Sequence, residues 1–190
     1  QYRNMGETQN KGIEIQLNYV AIDKKDFGLN FNFNIGFNKN KIKDLGMMDN
    51  FYSSSGWAST EVQDDYQVAV GGAVGKMYGF KSAGRYELSD FEEFDGKTWK
   101  LKEGVPSSPN VLGTIRPGTM KLEDLNDDKI IDDKDKTIIG DANPLHTGGF
   151  TINTRFKNFD LTAAFNWSYG NDVYNANKIE YTSSSKYQYR

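Results

Sequence analysis

Apolar and polar residues alternate without interruption through Leu29-Asn-Phe-Asn-Phe-Asn-Ile-Gly-Phe-Asn38. Neighbouring side chains on a strand point to opposite faces, so Leu29, Phe31, Phe33, Ile35 and Phe37 share one face. Asn30, Asn32, Asn34 and Asn38 share the other. A helix would scatter both sets around its circumference, so the pattern predicts a strand. A soluble strand usually runs to five or six residues, whereas about ten cross a bilayer at a tilt.

Three other segments alternate in the same sense. From about Lys11 to Ile22, the residues Ile13, Ile15, Leu17, Tyr19 and Ala21 oppose Glu14, Gln16 and Asn18. From about Gly149 to Phe156, the residues Phe150, Ile152 and Phe156 oppose Thr151, Asn153 and Arg155. After the tight link Lys157-Asn158, Leu161, Ala163, Phe165, Trp167 and Tyr169 oppose Asp160, Thr162, Asn166 and Ser168. The short links predict two hairpins, within residues 1–40 and 149–170. An apolar outer face and an amide-rich inner face describe the wall of a membrane barrel enclosing water. Glu14, Gln16, Asn18, Asn30, Asn32, Asn34, Asn153, Arg155 and Asn166 are then expected to face the lumen. Trp167 and Tyr169, ending the fourth strand, are expected in an aromatic belt at the interface.

Residues 41–148 lack comparable alternation, and an irregular connection of that length is usually functional. Barrels keep short turns on the periplasmic side and long loops outside. If both short links are periplasmic, the long segment is an extracellular loop, and residues 171–190 begin the next one. Its aromatic residues Trp57, Tyr66, Tyr78, Tyr86 and Trp99 are candidates to touch a ligand or a lid. Packing of the loop's own small core is the plainer reading.

Composition narrows the picture further. A formal net charge of −3 over 190 residues argues against nucleic acid as a partner, and the absence of cysteine excludes disulfides and thiolate metal sites. No run of roughly 18 apolar residues predicts a transmembrane helix. A mean hydropathy of −0.71 is compatible with barrel strands diluted by polar loops. The opening Gln1-Tyr-Arg-Asn-Met-Gly-Glu has no leader pattern and reads as the interior of a longer chain.

The sharpest candidate chemistry lies between Asp124 and Asp135. Oxygen ligands at positions 1, 3, 5, 9 and 12 with a carbonyl at 7 wrap Ca²⁺, which selects Asp124, Asn126, Asp128, Asp132, Asp135 and the Ile130 carbonyl. Lys129 departs from this pattern, because such loops place glycine there for a sharp turn. The alternative is a solvated acidic turn whose side chains bond their own backbone. Gly71-Gly-Ala-Val-Gly-Lys76 lacks the spacing and hydroxyl of a phosphate loop, as Val70 and Met77 occupy the required positions. His146, the single histidine, reads as a loop residue, and Glu92 and Glu93 as solvated acids. No catalytic constellation emerges, so no enzyme is predicted.

Several motifs occur in a fixed order. Pro117-Gly118 leads into Asp124-Leu-Asn-Asp-Asp128, Ile130-Ile-Asp132 and Asp135-Lys-Thr-Ile-Ile-Gly140. Asn143-Pro144, Thr147-Gly-Gly-Phe150, Asn158-Phe-Asp160-Leu161 and Gly170-Asn171-Asp-Val-Tyr174-Asn175 follow. Upstream stand Asn10-Lys-Gly12-Ile-Glu14 and Gly75-Lys-Met-Tyr78-Gly79 through Gly84-Arg-Tyr86. Together they resemble the C-terminal barrel portion of SusC/RagA-type TonB-dependent outer-membrane transporters of Bacteroidetes. The resemblance implies an all-β fold, with these antiparallel strands forming part of a 22-stranded transmembrane barrel in the bacterial outer membrane. It also implies import of glycans or peptides, a SusD-like surface lipoprotein as lid, and TonB acting through a plug that this sequence lacks. In that family glycines stand where this chain has Asp127 and Lys129. The rival reading is a soluble extracellular β-sandwich that binds carbohydrate or calcium, which requires the apolar faces to pack on one another.

Overall fold

The structure, a computed structural model, describes residues 6–56 and 64–178. The chain forms two compact units, the second being Tyr78–Ile139 and the first lying on either side of it in sequence.

The first unit is built on four antiparallel strands, β1 (Glu7–Lys24), β2 (Phe27–Asp44), β11 (His146–Phe156) and β12 (Phe159–Tyr169), in the order β1-β2-β11-β12. Both tight links lie at one end of this sheet, as the two hairpins require. The register aligns side chains into rows across the sheet. One row is Leu17, Phe33, Phe150 and Phe165, and another is Tyr19, Phe31, Ile152 and Ala163. On the opposite face, Asn18, Asn32, Thr151 and Ala164 form a row, as do Gln16, Asn34, Gly149 and Asn166.

The apolar face is bare. Ile13, Ile15 and Leu17 are 69, 52 and 58% exposed, and Leu161 and Phe165 are 66 and 54% exposed. A β-sandwich would bury these side chains against a second sheet, so that alternative does not describe this fold. From Phe27 to Phe37 the face extends ten residue steps, about 34 Å along the strand and about 26 Å high at a tilt near 40°. Outer-membrane barrels carry an apolar band of about that height.

Two details differ from the alternation. Pairing moves from Val20↔Asn30 to Ile22↔Leu29, so Ala21 is the extra residue of a bulge and Ile22 takes the apolar position expected for Ala21. Both strands of the first hairpin also extend past the predicted ends, to Glu7 and Asp44. There, apart from the buried Ile42, both faces become polar, and the alternation loses its contrast while the ladder continues.

Between β2 and β11 the described residues form short strands and no further crossing. β3 (Asn50–Ser53) and β4 (Tyr66–Ala69) pair, and β4 pairs with the start of β5 (Lys76–Phe80). The second unit contains two small ribbons. β6 (Ser82–Arg85) pairs with β9 (Met120–Leu122), and β7 (Phe91–Phe94) with β8 (Trp99–Leu101). Its one α-turn, α1, is Pro109–Leu112, and β10 (Lys136–Asp141) returns the chain to the first unit. These strands hold three to six residues, too few to span a bilayer. Tyr86, Phe91, Leu122 and Ile131 are buried and form the core of this unit.

Candidate functional site

All nine residues expected to face a lumen share one face of the four-stranded sheet. Side-chain hydrogen bonds cross between strands on this face. Thr162 Oγ1 donates to Asn153 Oδ1 at 2.9 Å, and Asn40 Nδ2 donates to Asn10 Oδ1 at the same distance. At the end with the tight links, the Arg155 guanidinium donates to the Lys24 carbonyl at 3.1 Å and lies 3.5 Å from Asp23. At the other end, Glu14, Asn38, Asn143 and Thr147 help line a groove of about 370 Å³. Amides present donors and acceptors in equal measure, so this surface suits water and neutral polar solutes.

The apolar face ends in aromatic side chains. Trp167 and Tyr169 lie where an interfacial belt was expected, and His146 joins them as the first residue of β11 rather than as a loop residue. The indole of Trp167 donates to His146 Nδ1 at 3.1 Å, and the His146 ring stacks on Tyr169 and meets Phe37. The Trp167 ring lies against Gly148, where an added Cβ would collide with it and with the Asn34 carbonyl. The tight links carry a second aromatic group, with Phe27 edge-on to Phe156 at 6.4 Å.

The acidic loop belongs to the second unit, and its carboxylates serve its own backbone. Asp124 Oδ2 accepts from Lys129 N, Asn126 Oδ1 from Asp128 N, and Asp128 Oδ1 from Ile130 N. Asp135 is fully buried and accepts from Leu125 N and Asp132 N, both at 2.8 Å. Asp132 caps the following turn by accepting from Lys134 N. Lys129 adopts φ +66°, so it takes the left-handed conformation that glycine would supply, and its ammonium pairs with Asp127. The hydrogen bond from Ile130 N, foremost, holds the Asp128 carboxyl below its ordinary range. Among the described residues, no three histidine or acidic side chains form a group that could hold a metal ion. One oxygen is unspent, since Asp124 Oδ1 is buried without a partner.

The aromatic candidates separate by burial. Tyr86 is 1% exposed and donates to the Pro106 carbonyl at 2.6 Å, so it belongs to the core and has no surface to offer a ligand or lid. Trp99 is half-buried and stacks on Phe94 at 4.6 Å. Tyr66 is half-buried against Tyr174, Tyr78 is half-buried, and Trp57 lies outside the described residues. Sequence reasoning passed over Asp65, which is buried and accepts from Ser55 N at 2.6 Å. Burial, with the Asp65 charge next, raises the Tyr174 phenol above its ordinary range. Nothing in the local pattern around Asp65 marks it as buried. Glu92 pairs with Lys100 at the surface, as solvated acids do.

No protein-family model matches the chain. Curated proteins do. TonB-dependent receptor P3 of Formosa agariphila is 30% identical over 97% of the chain, and TonB-dependent receptor P26 of the same organism is 30% identical over 92%. TonB-dependent receptor P39 is 24% identical over 90%. The chain spans 16 to 18% of the length of these relatives. Among solved structures, the RagAB peptide transporter superposes on 87% of the chain with a TM-score of 0.54 at 20% identity. A second RagAB structure, of the importer in an open-open state, gives 0.53 over 88% of the chain. The chain covers 16% and 15% of those two structures. The chain is thus similar in sequence to one stretch of TonB-dependent receptors, and its fold matches the corresponding part of the RagAB structures.

Proposed function

We propose that this chain supplies four wall strands and one large extracellular loop to a TonB-dependent nutrient importer of the outer membrane. The observation that carries the reading is the sheet with an exposed apolar face about 26 Å high backed by a face of mainly polar side chains. Lipid covers the first and water fills the space behind the second. The importer takes up glycans or peptides beneath a SusD-like surface lipoprotein and is energised by TonB. The residues described here bind and hydrate and do no covalent chemistry. Support for these partners comes from the named receptors and from the RagAB fold.

Native mass spectrometry of the particle that carries this chain, extracted from its membrane in mild detergent, tests the reading. A polypeptide several times longer than this chain, accompanied by a surface lipoprotein, is the expected result. A water-soluble particle without a companion would overturn it.

We propose that the acidic loop takes up Ca²⁺ only weakly, since an ion must displace the backbone N–H groups from which the loop's side-chain oxygens accept. Asp124 Oδ1, buried and unpartnered, supports an added cation. The other carboxylates already accept backbone N–H groups, which favours the roughly 10⁻⁴–10⁻³ M affinities of extracellular modules. Calorimetric titration should find this affinity and lose it in Asp124→Asn. Absence of heat at 10-fold higher Ca²⁺, on the order of 10⁻² M, would remove the ion.

A further inference from the structure

The apolar face of β2 does not end at Phe37. Lys39 and Lys41 follow on the same face at every second position, where Phe31, Phe33, Ile35 and Phe37 precede them, and Lys43 comes next as the extra residue of a bulge. Lys11 is the register partner of Lys39, and Gln9 that of Lys41. These side chains line a groove of about 870 Å³, together with Lys76 and Asp141. Lys76 pairs with Asp141 at 2.5 Å. Burial would raise the Asp141 carboxyl, but hydrogen bonds from Lys76 and Asn143 outweigh it and hold the group below its ordinary range. Asp141 is the groove's single carboxylate, so Lys11, Lys39, Lys41 and Lys43 have no ion-pair partner among the described residues.

Successive lysines on one strand face are about 7 Å apart, and like charges directly across a ladder destabilise it. An external polyanion relieves that repulsion. Position selects which one. In the barrel reading, on which this inference rests, the tight links are periplasmic and the lysines sit at the outward end of the lipid-facing surface. With a tilt near 40°, Lys39 and Lys41 stand about 5 and 10 Å above Phe37. The polar zone of one leaflet extends about 5–8 Å beyond the hydrocarbon, and a lysine stem can bend back into it. We propose that this groove binds the phosphate groups of anionic outer-leaflet glycolipids, so that the lipid seats on the barrel wall beside the long loop.

The test uses the full-length protein that carries this chain, in detergent, with diphosphoryl lipid A and its dephosphorylated form as probes in native mass spectrometry. The wild-type protein should retain the phosphorylated lipid. K39Q/K41Q/K43Q should weaken retention on the order of 100-fold, about a factor of five for each lysine. The control K97Q/K102Q, in the second unit, should bind as wild type does, and the dephosphorylated lipid should bind weakly to all three proteins. Equal retention by the wild type and K39Q/K41Q/K43Q would overturn the proposal. Lysine-dependent binding of inorganic phosphate without retention of the lipid would overturn it too, making the groove a soluble-anion site. A parent protein that stays in the aqueous phase is a separate result, which defeats the barrel reading itself.

Discussion

In the four-stranded sheet, Leu17, Leu161 and Phe165 are 58, 66 and 54% exposed, whereas in residues 78–139 Tyr86, Leu122 and Ile131 are 1, 3 and 0% exposed. The two regions use the same kinds of side chain. The difference lies in what covers them. In the second unit, Tyr86 packs on Phe91, Phe91 on Trp99 and Trp99 on Phe94, so the apolar surface closes on itself within a loop. The sheet offers its apolar rows outward, with polar rows behind them, and needs an external apolar medium to cover them. A loop with its own core can stand in water, and a wall with a bare face belongs in lipid.

Substitutions can break this comparison. The largest effect is expected at Tyr86, where Tyr86→Ala should cost the second unit about 3–5 kcal/mol. Hydrogen exchange at the Leu122 and Ile131 amides of the full-length protein reads this directly. Unchanged protection would mean that the unit has no core of its own. Next in size is a pair of charges on adjacent residues of β2. Phe33→Lys should destabilise folding into lipid vesicles by about 2–4 kcal/mol, with a far smaller cost for Asn32→Lys. Equal costs in denaturant titration would remove the distinction between the faces.

Gly148→Ala is expected to cost about 1–3 kcal/mol, because a Cβ there meets the Trp167 ring and the Asn34 carbonyl at 2.6 Å. Tryptophan fluorescence should report the displaced indole. An unshifted Trp167 spectrum with full stability would show that the strand tolerates the added atom.

The smallest effect is electrostatic. The Glu87 backbone N–H, then the Lys121 ammonium at 3.1 Å, holds the Asp90 carboxyl below its ordinary range. A carboxyl lowered on folding contributes stability above its unfolded value of about 3.9, and that contribution disappears as pH falls through the folded value. The second unit should therefore weaken below about pH 4, and Asp90→Asn should remove this component. Identical acid profiles for the two proteins would contradict the assignment.

The wall strands were legible because a period of two needs only local contrast. Leu29 to Asn38 declares both its faces within ten residues. Legibility failed where contrast failed. Asn40 and Lys41 are both polar, so neither the strand's extension nor the lysines on its apolar face stood out. Packing in the loop's own core was the plainer reading for Tyr86, but its partners Pro106 and Ser108, about 20 residues along the chain, were not legible. The acidic loop was legible as a turn but not as a ligand set. Its spacing is the same whether the carboxylates face an ion or the loop's own N–H groups, and here the backbone takes most of them.

Single nitroxide labels at Phe33 and Asn32 of the full-length protein in lipid vesicles test the central claim most directly. The account predicts that the label at Phe33 meets dissolved oxygen and is shielded from a water-soluble nickel chelate, with the reverse at Asn32. Equal access of the chelate to both positions would contradict it.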